Sequence, residues 1–220
     1  MRKHKEVIII LSIIGLPVLF YAILKTGHTN FVKLPIYGER VYDEQLKDTV
    51  YHTLPDFSFT DQTGSAISLK DFDTSIIVAD FFFATCRDVC PKLNKNMEQV
   101  YYSTRSMPNV KFISHTVDPD YDSVSVLAAY AKRFNADPHR WHFVTGSKQA
   151  LFDIAMNGYL VPVTKEDTTI DHSQNMILID PWRRIRGYYD GLKEEDVKKL
   201  MDEIKVLQVE IYERSKNSPR

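Results

Sequence analysis

The chain opens with a basic hexapeptide, MRKHKE, and then runs from Val7 to Leu24 as VIIILSIIGLPVLFYAIL without a charge. At about 1.5 Å per residue this run reaches roughly 27 Å as a helix, close to the ~30 Å of a bilayer's hydrocarbon core. The polar stretch from Thr26 to His52 shows no sustained period. From Leu54 the pattern becomes ordered. PDFSFTDQTGSAISL alternates apolar and polar positions around Asp-Gln-Thr-Gly, which predicts a hairpin. SIIVADFFF, from Ser75 to Phe83, is a continuous β-branched and aromatic run, the pattern of a strand covered on both faces.

After Pro91 the spacing turns helical, with Leu93, Met97 and Val100 on one stripe, and Pro91 suits a first helical turn where its missing N–H costs nothing. VKFISHTV predicts a strand over 110–117. The next helix begins at Ser123, with Val126, Ala129 and Tyr130 as its expected inner face. WHFVTG predicts a short strand, and SKQALFDIAMNGY a helix opened by Ser147 and stopped by Gly158. NMILID and RIRGYYDG predict two further strands. Val197, Leu200, Met201, Ile204 and Leu207 mark a final amphipathic helix. Strands alternating with helices and ending in a hairpin plus helix predict an α/β sandwich around a mixed sheet.

This pattern divides the 220 residues into a membrane anchor over 1–25, a tether over 26–53, one folded domain over 54–213 and a short tail over 214–220. The apolar run exceeds the usual 7 to 15 residues of a cleaved signal peptide and no A-x-A-like site follows it, so a retained single span is expected. Basic residues ahead of the span place the N-terminus in the cytoplasm and the domain outside, in the periplasm of a bacterium with an inner membrane. With 28 basic and 29 acidic side chains the formal charge is -1. That balance leaves no field to recruit nucleic acid, which is excluded as a partner.

The only two cysteines, Cys86 and Cys90, lie together in DFFFATCRDVCP, immediately after the most apolar predicted strand of the domain. In an oxidising compartment two thiols commonly form a structural disulfide. A bridge across so short a loop removes little entropy from the unfolded chain, so a reactive or metal-binding pair is the better reading. A loop that leads from a strand into a helix N-terminus favours thiolate over thiol. The spacing admits either an ion between the sulfurs or a disulfide.

Two thiolates suit a soft ion such as Cu(I), which a nitrogen ligand would complete as a trigonal site. His4 precedes the span, and His28 and His52 fall in the tether. His139 and His142 sit in DPHRWH at the entry to a strand, and His115 alternates within its strand. His172, in IDHSQNMILID, stands just before a buried strand, where a lone His is more often incidental than a ligand unless the fold brings it to the thiols. In a thioredoxin-like sheet that position faces the cysteine loop. Asp88 and Asp171 flank these groups and could orient or tune them. Asp118, Asp120 and Asp122 mimic the start of a calcium loop, but Ser123 and Ala129 stand where its Gly and Glu belong, so a solvated turn before the next helix is expected. Arg183, Arg184 and Arg186 read as a solvated hairpin with a capacity for an acidic partner.

Three stretches, DFFFATCRDVCP, VDPDYDSVSVLAAYAKRFNADPHRWHFVTG and DHSQNMILIDPWRRIRGYYDG, together resemble the SCO family of membrane-anchored copper proteins associated with cytochrome c oxidase assembly. The resemblance covers roughly Leu54 to Leu207. It implies a thioredoxin-like fold and copper, as Cu(I) with Cu(II) a further state, held by Cys86, Cys90 and His172. It also implies a partner in the copper-site subunit of cytochrome c oxidase, which receives copper or has its thiols maintained, with periplasmic copper carriers or thiol reductants as further partners. Arg87 stands where the family commonly has Pro, and Trp182-Arg183 replaces a Gln-Gly type turn.

Two other functions use the same cysteines. A thiol-disulfide oxidoreductase would use Cys86 and Cys90 as its redox pair without needing His172, and a redox or copper sensor could report the same site to a partner. The absence of a Pro in DHSQ, where thioredoxins place one opposite the thiols, favours copper. PDFSFTDQTG and Thr85 are also similar to peroxiredoxins, which place Thr three residues before the reactive Cys; here that position is Phe83.

Overall fold

The computed structural model describes residues 13, 15–21, 33–86, 90–161 and 174–217. Contacts divide the chain into a unit over Met1–Val32 and a second over Lys33–Arg220. In the first unit the described residues 13 and 15–21 are helical. No helix among the described residues is long and apolar enough to cross a membrane, and most of the expected span over 7–24 lies outside them.

The second unit is built on a seven-stranded mixed sheet. Its strands are β3 (Ser58–Asp61), β4 (Ala66–Ser68), β5 (Ile76–Phe82), β6 (Val110–Thr116), β7 (Trp141–Thr145), β8 (Asn175–Ile179) and β9 (Ile185–Asp190), in the order β4-β3-β7-β6-β5-β8-β9. β5, β6 and β7 run parallel, while β3 and β8 join this centre antiparallel. The helices are α1 (Cys90–Ser103), α2 (Val124–Lys132), α3 (Lys148–Asp153) and α4 (Glu194–Asn217). β5 is buried along its whole length. Ile76, Val78 and Phe82 pack in one cluster with Leu93, Met97 and Val100 of α1 and Leu200 and Ile204 of α4. Ile77, Ala79 and Phe81 pack in the other with Leu151, Ile154 and Tyr159. The unbroken apolar run of β5 follows from this two-sided burial.

Two local features differ from expectation, and a third shows how a turn without glycine is made. α2 buries Leu127, Tyr130 and Ala131, rather than Val126, Ala129 and Tyr130. The i, i+3, i+4 set one residue further on faces the sheet, and Ala129 is exposed. α3 gives way to a π-helical turn over Ile154–Gly158, and Leu160, at φ +54°, takes the left-handed conformation beyond it. The β8–β9 turn is made without glycine: Arg183 adopts φ +67°, and the Asp180 carboxylate accepts the Trp182 and Arg184 N–H groups at 2.9 and 3.0 Å.

The described part of the stretch expected as a tether packs on the domain. β1 (Arg40–Asp43) and β2 (Asp48–Tyr51) form an antiparallel pair. Leu34 is buried in the core, and Tyr37 N–H donates to the Ile185 carbonyl at 2.9 Å. Arg186, 1% exposed, donates to the Leu34 and Pro35 carbonyls at 2.7 and 3.0 Å and pairs with Asp180 and Glu210 at 3.1 and 2.8 Å. The expectation of a solvated arginine cluster therefore fails at Arg186, because a buried guanidinium with five donors satisfies carbonyls that a loop would otherwise leave unpaired.

Candidate metal centre

The cysteine loop leaves the sheet where the β5–β6 ladder ends. Val117 N–H donates to the Phe82 carbonyl at 2.8 Å, and Cys86 N–H returns to the Phe83 carbonyl at 3.2 Å, closing a turn that leaves Cys86 half-buried. Cys90 opens α1, whose first turn contains no acidic residue. The positive end of that helix therefore meets the loop without an intervening carboxylate of its own, the setting that stabilises a thiolate or another electron-rich donor. Arg87, Asp88, Asp171 and His172 lie outside the described residues.

The sheet nevertheless fixes which end β8 starts from. Ala79 pairs with Ile177 and Ile77 with Ile179 in antiparallel register, so Asn175 enters β8 at the C-terminal end of β5, the end that carries Cys86. Gln174, two residues after His172, accepts the Gly191 N–H at 2.7 Å. Gly191 in turn accepts from Asn96 Nδ2 of α1 at 2.6 Å. A side chain at Gly191 would collide with Leu93, three residues after Cys90, and would lie 2.9 Å from the Gln174 carbonyl. The start of α1 and the entry to β8 are thus packed against one another.

Three of the described histidines are committed to other contacts. His52 Nε2 donates to the Gly158 carbonyl at 2.8 Å, and His142 Nδ1 faces Asp61 at 3.3 Å in the core. His115 is fully buried with Nε2 2.9 Å from the Tyr159 hydroxyl, and burial pushes its pKa down to about 3. His139 is exposed in the turn before β7. Among the described residues, no three His, Cys, Asp or Glu side chains gather into a metal-holding group.

Two acidic residues take their meaning from burial: Asp80, which sequence reasoning missed, and Asp122, which it expected in a solvated turn. Asp80 on β5 is fully buried, and neither carboxylate oxygen makes a well-formed hydrogen bond among the described residues. Burial pushes its pKa up to about 7, against a smaller pull from Ser114, its neighbour across the ladder. Asp122 is also fully buried and reaches back to the loop. Its carboxylate accepts the Ala84 N–H at 3.2 Å, which corrects the expectation of a solvated turn. An acidic run looks solvated in sequence; only the fold shows which member turns inward. A shallow cleft lined by Ala84, Tyr121, Val126, Ala129, Tyr130 and Arg133 opens beside this contact.

The family model described as SCO1/SenC matches residues 46–208, nearly all of the second unit. The chain belongs to the SCO1/SenC family. A Bacillus subtilis SCO1 protein homolog is 26% identical over 167 residues, covering 74% of this chain and 86% of its own length. A SCO1/SenC family lipoprotein from Bacillus anthracis superposes with a TM-score of 0.63 at 29% identity, covering 71% of this chain and 95% of that one. Arabidopsis thaliana ScoI, solved with copper bound, gives a TM-score of 0.59 at 25% identity, covering 71% of this chain and 98% of that one. The chain spans about half the length of the vertebrate mitochondrial SCO proteins it matches. The fold of this SCO1/SenC chain is accordingly thioredoxin-like, with a central mixed sheet and flanking helices.

Two thiols and one imidazole are soft and borderline donors, and they suit Cu(I) better than a hard cation.

Proposed function

We propose that this protein carries copper to the binuclear copper site of cytochrome c oxidase, holding the metal as cargo through Cys86, Cys90 and His172. The observation that carries the reading is the antiparallel register of β8 on β5, which starts the strand following His172 at the sheet end that bears the cysteine loop. Copper bound by three protein ligands leaves room for an incoming donor, so the metal can pass by ligand exchange before the outgoing bonds break. The cleft beside Ala84 leaves the loop's flank open to an approaching chain. An N-terminal span over 7–24 in a bacterial inner membrane, with the domain on the periplasmic side, would hold the carrier beside its membrane-bound client.

A thiol-disulfide reading of the same loop is favoured by one observation, the opening of α1 at Cys90 with no acidic residue in its first turn, where thiolate is stabilised. The two readings separate in cells lacking the protein. Copper delivery predicts that oxidase copper content is restored by the parent chain and by neither Cys86→Ser nor His172→Ala. Restoration by His172→Ala would overturn delivery in favour of thiol maintenance.

A further inference from the structure

The buried carboxylate of Asp122 has no role in a solvated turn or in capping the helix that follows it. The N-cap of α2 is Ser123, and its side chain makes no capping bond to the helix. Asp122 instead faces the end of β6 and the start of the cysteine loop. It accepts the Thr116 hydroxyl, and its two oxygens lie 3.2 and 3.3 Å from the Ala84 nitrogen. Thr116 is held in turn, its Oγ1 accepting the Asp118 N–H at 3.0 Å.

The position of this contact matters. The parallel β5–β6 ladder makes its last bond from Val117 N–H to the Phe82 carbonyl. β6 then turns away through Asp118 and Pro119, and the Asp122 carboxylate supplies the acceptor for Ala84 that a longer strand would have supplied from its backbone. Ala84 is the second residue of the Phe83–Cys86 turn. Fixing its N–H fixes the direction in which the chain leaves the sheet, two residues before Cys86.

The sign of the charge argues against a role in stabilising the thiolates. An anion beside the loop disfavours the thiolate that both copper binding and thiol exchange require. Burial, and the nearby Asp118 carboxylate, also push the Asp122 pKa up, opposed by the bonds from Thr116 and Ala84. A carboxylate retained against both effects is there for the geometry it imposes.

We infer that Asp122 is the positioning residue of the copper loop, its buried carboxylate holding the Ala84 N–H so that the turn presents Cys86 in the orientation needed for copper. This rests on the proposed copper role of Cys86, and its test has one readout that does not. In the full chain, Asp122→Asn retains an acceptor for Ala84 and Asp122→Ala deletes it. Cu(I) affinity by competition with a chelator is expected to fall about 10- to 100-fold in Asp122→Ala, the range seen when groups that orient metal ligands are lost, and to stay within about threefold of the parent in Asp122→Asn. The equilibrium of the Cys86–Cys90 pair with glutathione is expected to shift in Asp122→Ala and to return in Asp122→Asn.

Should Asp122→Ala fail to fold, Thr116→Val removes the hydroxyl that orients the carboxylate and is expected to shift the same equilibrium in the same direction. An unchanged thiol equilibrium in whichever of these two variants folds, or Asp122→Asn as damaging as the deletion, would overturn the inference. A parent chain that takes no copper but whose thiol equilibrium depends on the Asp122 acceptor would overturn the delivery reading alone.

Discussion

The carbonyl of Gln174 accepts the N–H of Gly191 at 2.7 Å, and this bond ties the end of β9 to the residue that leads into β8. Leu93 of α1 closes over the same point, in space that only glycine leaves empty. A single close contact therefore connects the helix that begins at Cys90 with the chain that has just passed His172.

Gly191→Ala tests that contact. The added methyl would lie 2.9 Å from the Gln174 carbonyl as well as against Leu93, and backbone cannot give way as a flexible side chain can. Overpacking of this kind costs about 1–3 kcal/mol, or roughly 2–4 °C of melting temperature for each kcal/mol in a domain of this size. Copper affinity is expected to fall with it. Adding Leu93→Ala is expected to recover part of the loss, a non-additivity that thermal melts of the single and double variants would show.

Asp80 gives a pH dependence of defined sign. Its folded pKa, about 7, lies above the ordinary carboxylate value of 3.8, so the folded state binds this proton more tightly than the unfolded chain does. Its contribution is fully present below the unfolded value and is lost as pH rises from about 4 through about 7. Asp80→Asn removes the dependence. Urea unfolding at pH 5 and pH 8 is expected to show the variant gaining on the parent at pH 8 by up to a few kcal/mol. Equal differences at both pH values would show that Asp80 does not titrate in this range.

Arg186 anchors the described N-terminal segment to the domain. Arg186→Met strands the Asp180 and Glu210 carboxylates and two carbonyls. Removing one partner of a buried ion pair costs about 3–5 kcal/mol, and the lower end is expected because Arg184 stays on Asp180 at 2.7 Å. Limited proteolysis of the variant is expected to cut within residues 33–37 before the domain unfolds.

Much of the sheet was legible because its strands are buried on both faces and its helices carry clear stripes; Ser75 to Phe83 and Leu93-Met97-Val100 are examples. The β1–β2 pair was not. Val41 and Val50 face each other across it yet remain exposed, and no residue of either strand is fully buried, so no apolar core face marks the two strands. The cysteine pair declared itself by residue type and spacing. Asp80 and Asp122 did not, because an aspartate in a strand or an acidic turn gains its meaning from burial, and burial is decided by elements far away in sequence. Arg186 was misread for the same reason: its partners Leu34 and Glu210 lie at opposite ends of the domain.

The central claim is the three-ligand copper site, and copper stoichiometry tests it most directly. The full chain, reduced and held anaerobically in detergent, would be titrated with Cu(I) alongside His172→Ala and Cys86→Ser. One tightly held copper per chain, weakened sharply in both variants, is the predicted result. Copper binding indifferent to His172, or no tight binding by the parent, would contradict the account and leave thiol-disulfide exchange as the chemistry of the loop.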